Sequence, residues 1–411
     1  MTPESSPATA ARKRSVVFVH VGEPKSGTTF LQETLWGNRA ALARQGVQLP
    51  GLHAQEHFRA NLDLREVPQD PHDPAGSYQG EWELLAAQAT RAESKAIISH
   101  EQLAGATRRQ AERALKSLDP AEVHIVLTVR DFASLLPAEW QETVKHRNVL
   151  GWQRWVRRVV ESRPEPNDTG WDGESRRWFW QVHDTLDVLR RWSQGIPPER
   201  VHVVTVPRRG SSPTLLWERF ASVIGIDPGS VDLSVARPNA SLGLAETELL
   251  RRLNLALRRG DPVPDWFYAE HVKDRLAHDV LSRREASARP RLAPSQARWA
   301  MQCAEQMVAG LAESGYHVVG DLDELRSNPA GARRGRVDSR KVAPKAVADA
   351  AVVALAAVLR DQYTNRRSAG EVVPHRMKRL AREFTARSNL LRRVRVTVWR
   401  LGEKARSRSR R

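Results

Sequence analysis

The stretch VVFVHVGEPKSGTTFLQETL, residues 16–35, brings together two glycines, one lysine and three hydroxyl side chains between Gly22 and Thr29. Residues of these types, set between an apolar run and a helical pattern, suit the binding of a phosphate-like anion. A helix N-terminus offers unpaired backbone N–H groups and a partial positive charge. Gly27 lets the main chain turn close to an anion, Ser26, Thr28 and Thr29 supply hydroxyl donors, and Lys25 adds the one full charge. The spacing is not that of a nucleoside-triphosphate loop. Gly22, Gly27 and Thr29 match the template G-x-x-x-x-G-K-[ST], but Thr28 stands at its lysine position and the lysine lies inside the loop. The plainer alternative is a glycine turn capped by Thr28, with Lys25 in solvent.

Such a loop has to be held by a sheet. SVVFVHV (15–21), KAIISH (95–100), EVHIVLTVR (122–130) and RVHVVTVP (200–207) read as strands buried on both faces. Helical patterns alternate with them at 28–46, 81–93, 108–118 and 214–225. The expected fold class is therefore α/β: a three-layer, P-loop-type parallel sheet flanked by helices, with a mainly helical C-terminal part and a basic tail. Residues 51–80, rich in Pro, His, Gly and Asp, read as a long surface loop, and AVADAAVVALAAVL (346–359) as a buried helix. The domain boundaries expected are a disordered 1–14, a catalytic domain over 15–330, a linker at 331–345, a helix and connector at 346–375, and a basic amphipathic tail at 376–411.

Charge and cysteine content narrow the function classes. Of the net charge of +17, residues 376–411 carry +12 (14 Lys/Arg against 2 Asp/Glu), leaving +5 for the body (17 − 12). A nucleic-acid-binding fold would show a basic face on a folded domain, so nucleic acid is an improbable partner. The tail places Met377, Leu380, Phe384, Leu391, Val394, Val398 and Leu401 on one helical stripe with arginines opposite, which suits an anionic membrane surface, a protein partner or packing on the body. The single cysteine, Cys303, allows no internal disulfide and reads as a buried structural residue. The polar N-terminus and short first apolar run predict a cytoplasmic protein, peripheral at most at the inner membrane surface. Eight of the 13 tryptophans fall between 140 and 217, and their helical spacing favours core packing over an acceptor wall.

HVGEPKSGTTFLQ resembles the 5′-phosphosulfate loop of sulfotransferases that use 3′-phosphoadenosine 5′-phosphosulfate (PAPS), with Lys25 at the family's lysine position. The resemblance covers roughly residues 14–330. It implies transfer of a sulfuryl group to a hydroxyl (or amine) of a carbohydrate, lipid or small-molecule acceptor, without a metal. It also implies that Lys25 neutralises the oxygen bridging phosphorus and sulfur. EVHIVLTVRDFASLLPAEWQE resembles the family's 3′-phosphate segment: Arg130 matches its arginine, whose fork suits bidentate phosphate binding. The family's serine position holds Ala138, and Ser134, one helical turn earlier, is the candidate substitute. AIISH resembles the family's soluble branch, whose base is a strand-terminal histidine, which makes His100 the expected base; other branches use a glutamate near this place, which makes Glu101 the runner-up. Arg208, Arg209 and Gly210 look like a basic loop of the family but stand in the wrong segment, and they are left out of the expected site. His183 and Asp184 read as a capped helix face.

Two other classes stay open on the sequence. One is a P-loop kinase or NTPase, with Asp131 after LTVR as its metal-side residue. The other is a non-enzymatic scaffold acting through the tail.

Overall fold

The apolar runs become strands, as expected from side chains that must be covered on both faces. In the computed structural model, which describes residues 14–68, 77–164, 178–236, 241–259, 261–284, 288–326 and 342–368, the chain opens with β1 (Val16–Gly22), α1 (Thr28–Gly37), α2 (Arg39–Arg44) and β2 (Val47–Gln48). α3 (Ala54–Leu64), α4 (Glu81–Thr90), β3 (Lys95–Ser99), α5 (Arg108–Ser117) and β4 (Glu122–Val129) follow. Next come α6 (Phe132–Lys145), α7 (Trp152–Glu161), α8 (Trp178–His183), α9 (Thr185–Trp192), β5 (Val201–Thr205) and α10 (Leu215–Ile224). α11 (Leu244–Leu257), α12 (Asp265–Tyr268), a π-helix (Ala269–Val280), α13 (Pro294–Glu313), β6 (His317–Val319) and α14 (Pro344–Ser368) complete the described order.

The six strands run parallel in the order β2-β3-β1-β4-β5-β6. From β1 the chain crosses to one edge and works inward, then passes to the other side of β1. That reversal marks the place where α/β sheets bind ligands, outside the carboxyl ends of the strands. One face of the sheet packs Phe18, Ile97, Val126 and Val204 against Leu31 and Leu35 of α1 and Trp217 and Phe220 of α10. Val17, Val19 and Val21 on the opposite face of β1 are equally buried, which gives the three-layer arrangement.

Two expectations need correction. Residues 54–64 are a helix, not loop, started by Glu56 accepting from the Leu52 and His53 N–H groups. The residues that α3 buries include His57 and Asn61, whose polarity hid the helical period. α14 is not a buried helix: Val352, Leu355 and Leu359 are more than half exposed. The chain divides into two compact units, residues 1–350 and 351–411. The N-terminus, most of the linker and the basic tail lie outside the described residues. Among the described residues no helix is long and apolar enough to cross a membrane. Trp140, Trp152, Trp155, Trp180, Trp192 and Trp217 are core, as is Cys303.

Candidate active site

The loop after β1 stands where the sheet reverses, and three strands hold it from below. Gly22 has a φ of +116°, and a Cβ there would meet the Glu101 carbonyl oxygen at 2.6 Å. Only glycine lets the end of β1 lie this close to the backbone after β3. Beneath the loop, His20 of β1 bonds Ser99 of β3 (Nδ1 to Oγ, 2.8 Å) and Thr128 of β4 (Nε2 to Oγ1, 3.3 Å). Thr128 donates to the Gly22 carbonyl at 3.0 Å and also meets the Ser26 hydroxyl. Burial lowers the His20 pKa to about 4, so this chain of hydroxyls and imidazole is uncharged at neutral pH. Nothing in the residue pattern announces it, because Ser99, His20 and Thr128 look like lapses in apolar strands.

Ser26 therefore departs from its expected role. Its hydroxyl is fully buried between the Glu23 carbonyl and Thr128, so it shapes the loop rather than facing a ligand. Of the other loop hydroxyls, Thr29 is exposed and Thr28 is buried. The N–H groups of Gly27, Thr28, Thr29 and Phe30 have no acceptor among the described residues, and neither do the Thr28 and Thr29 hydroxyls. Gly27, at φ +85°, makes the left-handed turn that aims these amides one way. Four unpaired donors at the start of α1 form a cradle that fits an anion.

Lys25 also takes a left-handed backbone (φ +62°), and its Nζ lies 2.6 Å from Glu142 Oε2 of α6. Burial works against its charge, but Glu142, Glu139 and Glu101 raise its pKa above the ordinary value. Burial alone would raise Glu142; Lys25, His146, Lys145 and Lys273 instead hold its carboxyl well below the usual range. Arg130, at the end of β4, donates from Nη1 to the Lys25 carbonyl at 3.1 Å, which ties the second expected cation to the loop. Burial lowers its pKa; Asp131 opposes this, and the neighbouring Arg209 and Arg289 add to it. Neither Arg209 nor Arg289 has an ion-pair partner among the described residues. Arg209 and Arg289 thus add positive charge around Arg130 beyond what Asp131 offsets, and such an arginine-rich region suits an anion. Nothing in the spacing of Arg209 and Arg289 announces that the loop after β5 and the segment before α13 bring positive charge near Arg130. Asp131 caps α6 by accepting from Ser134 N–H at 2.9 Å, and the Ser134 hydroxyl has no partner among the described residues.

His100 and Glu101 leave the end of β3 beside Gly22. His100 Nδ1 accepts the Gln102 N–H at 3.2 Å, so the neutral ring carries its proton on Nε2. Burial lowers the His100 pKa, against the pull of Glu101. Burial also works against the charge of Glu101, but His100 and Gln32, whose Nε2 donates to Glu101 Oε2 at 2.8 Å, bring its pKa below the usual value. Glu101 is the carboxylate in this pair with lone pairs to spare.

His183 lies fully buried behind the loop, 3.7 Å from Glu23 and 3.6 Å from Glu139. Burial would lower its pKa, but the two carboxylates raise it to about 9. Asp184 caps α9, as the capped-helix reading expects.

No family model and no curated protein matches the chain. Among solved structures it is similar to a sulfotransferase from Alicyclobacillus acidocaldarius, at 14% identity over 77% of this chain and 98% of that chain, with a TM-score of 0.37. The likeness is too distant to bear on activity.

Proposed function

We propose that the protein transfers a sulfuryl group from PAPS to an acceptor hydroxyl. The observation that carries this reading is the pairing of a bare amide cradle with Arg130, Arg209 and Arg289, none of which makes an ion pair among the described residues, joined through the Arg130–Lys25 contact. A nucleotide with a charged group at each end suits two anion sites so joined. The amides of Gly27 to Phe30 and the Thr28 and Thr29 hydroxyls would hold the 5′ end. Arg130, Arg209, Arg289 and the Ser134 hydroxyl would hold the 3′-phosphate. Bound there, PAPS supplies a sulfuryl group on a phosphate leaving group.

The protein's own part is electrostatic and acid–base. Lys25 presents its ammonium to the leaving oxygen. Glu142 keeps Lys145 at 3.1 Å when Lys25 turns to the ligand, so its carboxylate does not lose its only cation. Glu101 takes the acceptor's proton on its carboxylate. The Nδ1 bond to Gln102 makes neutral His100 a donor at Nε2, which is unsuited to abstracting a proton there; His100 instead positions the turn that carries Glu101.

Isothermal titration with adenosine 3′,5′-bisphosphate and with adenosine 5′-monophosphate tests the assignment. Arg130→Ala is expected to weaken the bisphosphate by about 10- to 100-fold and the monophosphate by about twofold or less. Equal losses for the two nucleotides would contradict it.

A further inference from the structure

Helix α14 is apolar on two opposite faces. Val347, Ala350 and Ala354 are buried along one of them. On the other, Val352, Leu355, Leu359 and Tyr363 follow one another at intervals of three, four and four residues and are 58–68% exposed. Val353 and Val358 are exposed on either side of that stripe. A surface helix ordinarily turns charged residues outward, and a continuous exposed apolar stripe marks an interaction site. A second copy of the chain is a poor occupant. Covering all six side chains in each of two copies buries only about 1,000 Å² in total, below the ~1,200–2,000 Å² of a stable association.

The segment that follows α14 fits the stripe better. In residues 377–401, which lie outside the described residues, Met377, Phe384, Leu391 and Val398 recur every seven residues. Leu380, Val394 and Leu401 stand three residues after the first, third and fourth of these. α14 repeats the same spacing: Val352 and Leu359 are seven apart, and Leu355 stands three residues after Val352. Equal heptad spacing lets two helices pack knobs into holes along their length. The lengths match as well, at 25 residues each. Between them, 369–376 reads AGEVVPHR, with a glycine just past the end of α14 and a proline before the next apolar period. A connection this short makes consecutive helices antiparallel neighbours. Folding back about its middle sets Val352 opposite Val394 and Leu355 opposite Leu391, and leaves the arginines of the segment on its outer face.

We propose that residues 377–401 form the second arm of a helical hairpin and cover the stripe of Val352, Leu355, Leu359 and Tyr363 on α14. The short connection favours this arm over a second copy or a membrane, because it holds the segment at an effective concentration on the order of millimolar. The apolar stripe of the tail is then taken up within the chain, and its arginine face alone is turned to solvent.

Crosslinking in the full chain tests this. With Cys303→Ser removing the native thiol, Leu355→Cys and Leu391→Cys are treated with a short bismaleimide and the joined peptides are identified by mass. In the control pair, Leu355→Cys with Leu401→Cys, the second thiol lies about 15 Å further along the helix at ~1.5 Å per residue. The first pair should crosslink within one chain about fivefold or more faster than the control, at a rate independent of protein concentration. Hydrogen exchange gives a second reading without new thiols. Leu391→Glu with Val394→Glu should speed exchange of the amides of 352–363 about tenfold or more over the unsubstituted full chain. Crosslinks that join two chains would assign the stripe to a second copy, and crosslinks that form only with anionic vesicles would assign the tail to a membrane. Either result, equal rates for the two pairs, no crosslink at all, or unchanged exchange would overturn the proposal.

Discussion

Lys25 answers to two constraints at once, a left-handed backbone that turns the loop and an ammonium drawn to Glu142. Replacing it takes a charge away from the cradle but leaves Glu142 its contact with Lys145. Lys25→Ala is therefore expected to lower sulfuryl transfer by about 10²–10³-fold, the usual cost of one electrostatic stabiliser. Circular dichroism and the unfolding midpoint should change little. Unchanged turnover would refute the role. The neighbouring acid–base pair separates in a similar way. Glu101→Gln should lower turnover by about 10²–10⁴-fold, while His100→Asn, which keeps an oxygen acceptor for the Gln102 N–H, should retain most of it. The opposite ranking would make His100 the base. Much of the candidate site was legible in the sequence, because Lys25, Gly27, Thr28 and Thr29 fall within one short stretch and Arg130 ends a plain apolar strand. Arg209, Arg289 and the lysines around Glu142 were not, since only folding brings such distant residues together.

Among the elements, β1, β3 and β4 fix the loop through contacts that no propensity scale registers. Gly22→Ala would drive a Cβ into the Glu101 backbone and strain a positive φ. A loss of at least about 2 kcal/mol in urea unfolding is expected, along with weaker nucleotide binding. Behind the loop, His183 couples α8 to Glu23 of the loop and Glu139 of α6. It holds its proton more tightly folded than unfolded, so its contribution is full below the ordinary value of 6.5 and is lost as pH rises through about 9. Unfolding free energy should fall across that window. His183→Leu, which strands two buried carboxylates, should cost about 3–5 kcal/mol at neutral pH and flatten the decline. Urea titrations at several pH values check both; a slope unchanged in the variant would place the titration elsewhere. Strands with unbroken apolar runs were readable, and α3 was not. Two of its four buried positions are polar, and one of them, His57, accepts the Ser99 backbone N–H at 3.1 Å.

At the scale of the molecule, a basic tail outside the described residues follows a body whose candidate chemistry lies at the carboxyl ends of the central strands of one sheet. Removing residues 376–411 should therefore leave nucleotide affinity within about twofold, as a site complete within the body requires. A larger loss would bring the tail into the site. The alternation of strands and helices made the architecture legible, whereas the short edge strands β2 and β6, of two and three residues, were too brief to register as a pattern. The central claim is that a cradle without a Walker lysine, tied to Arg130, is built for a nucleotide charged at both its 3′ and 5′ ends. A thermal-shift titration with adenosine 3′,5′-bisphosphate beside ATP–Mg²⁺ puts that to the test. Stabilisation by the bisphosphate and little or none by ATP–Mg²⁺ is the predicted result; stabilisation by ATP–Mg²⁺ alone would contradict it.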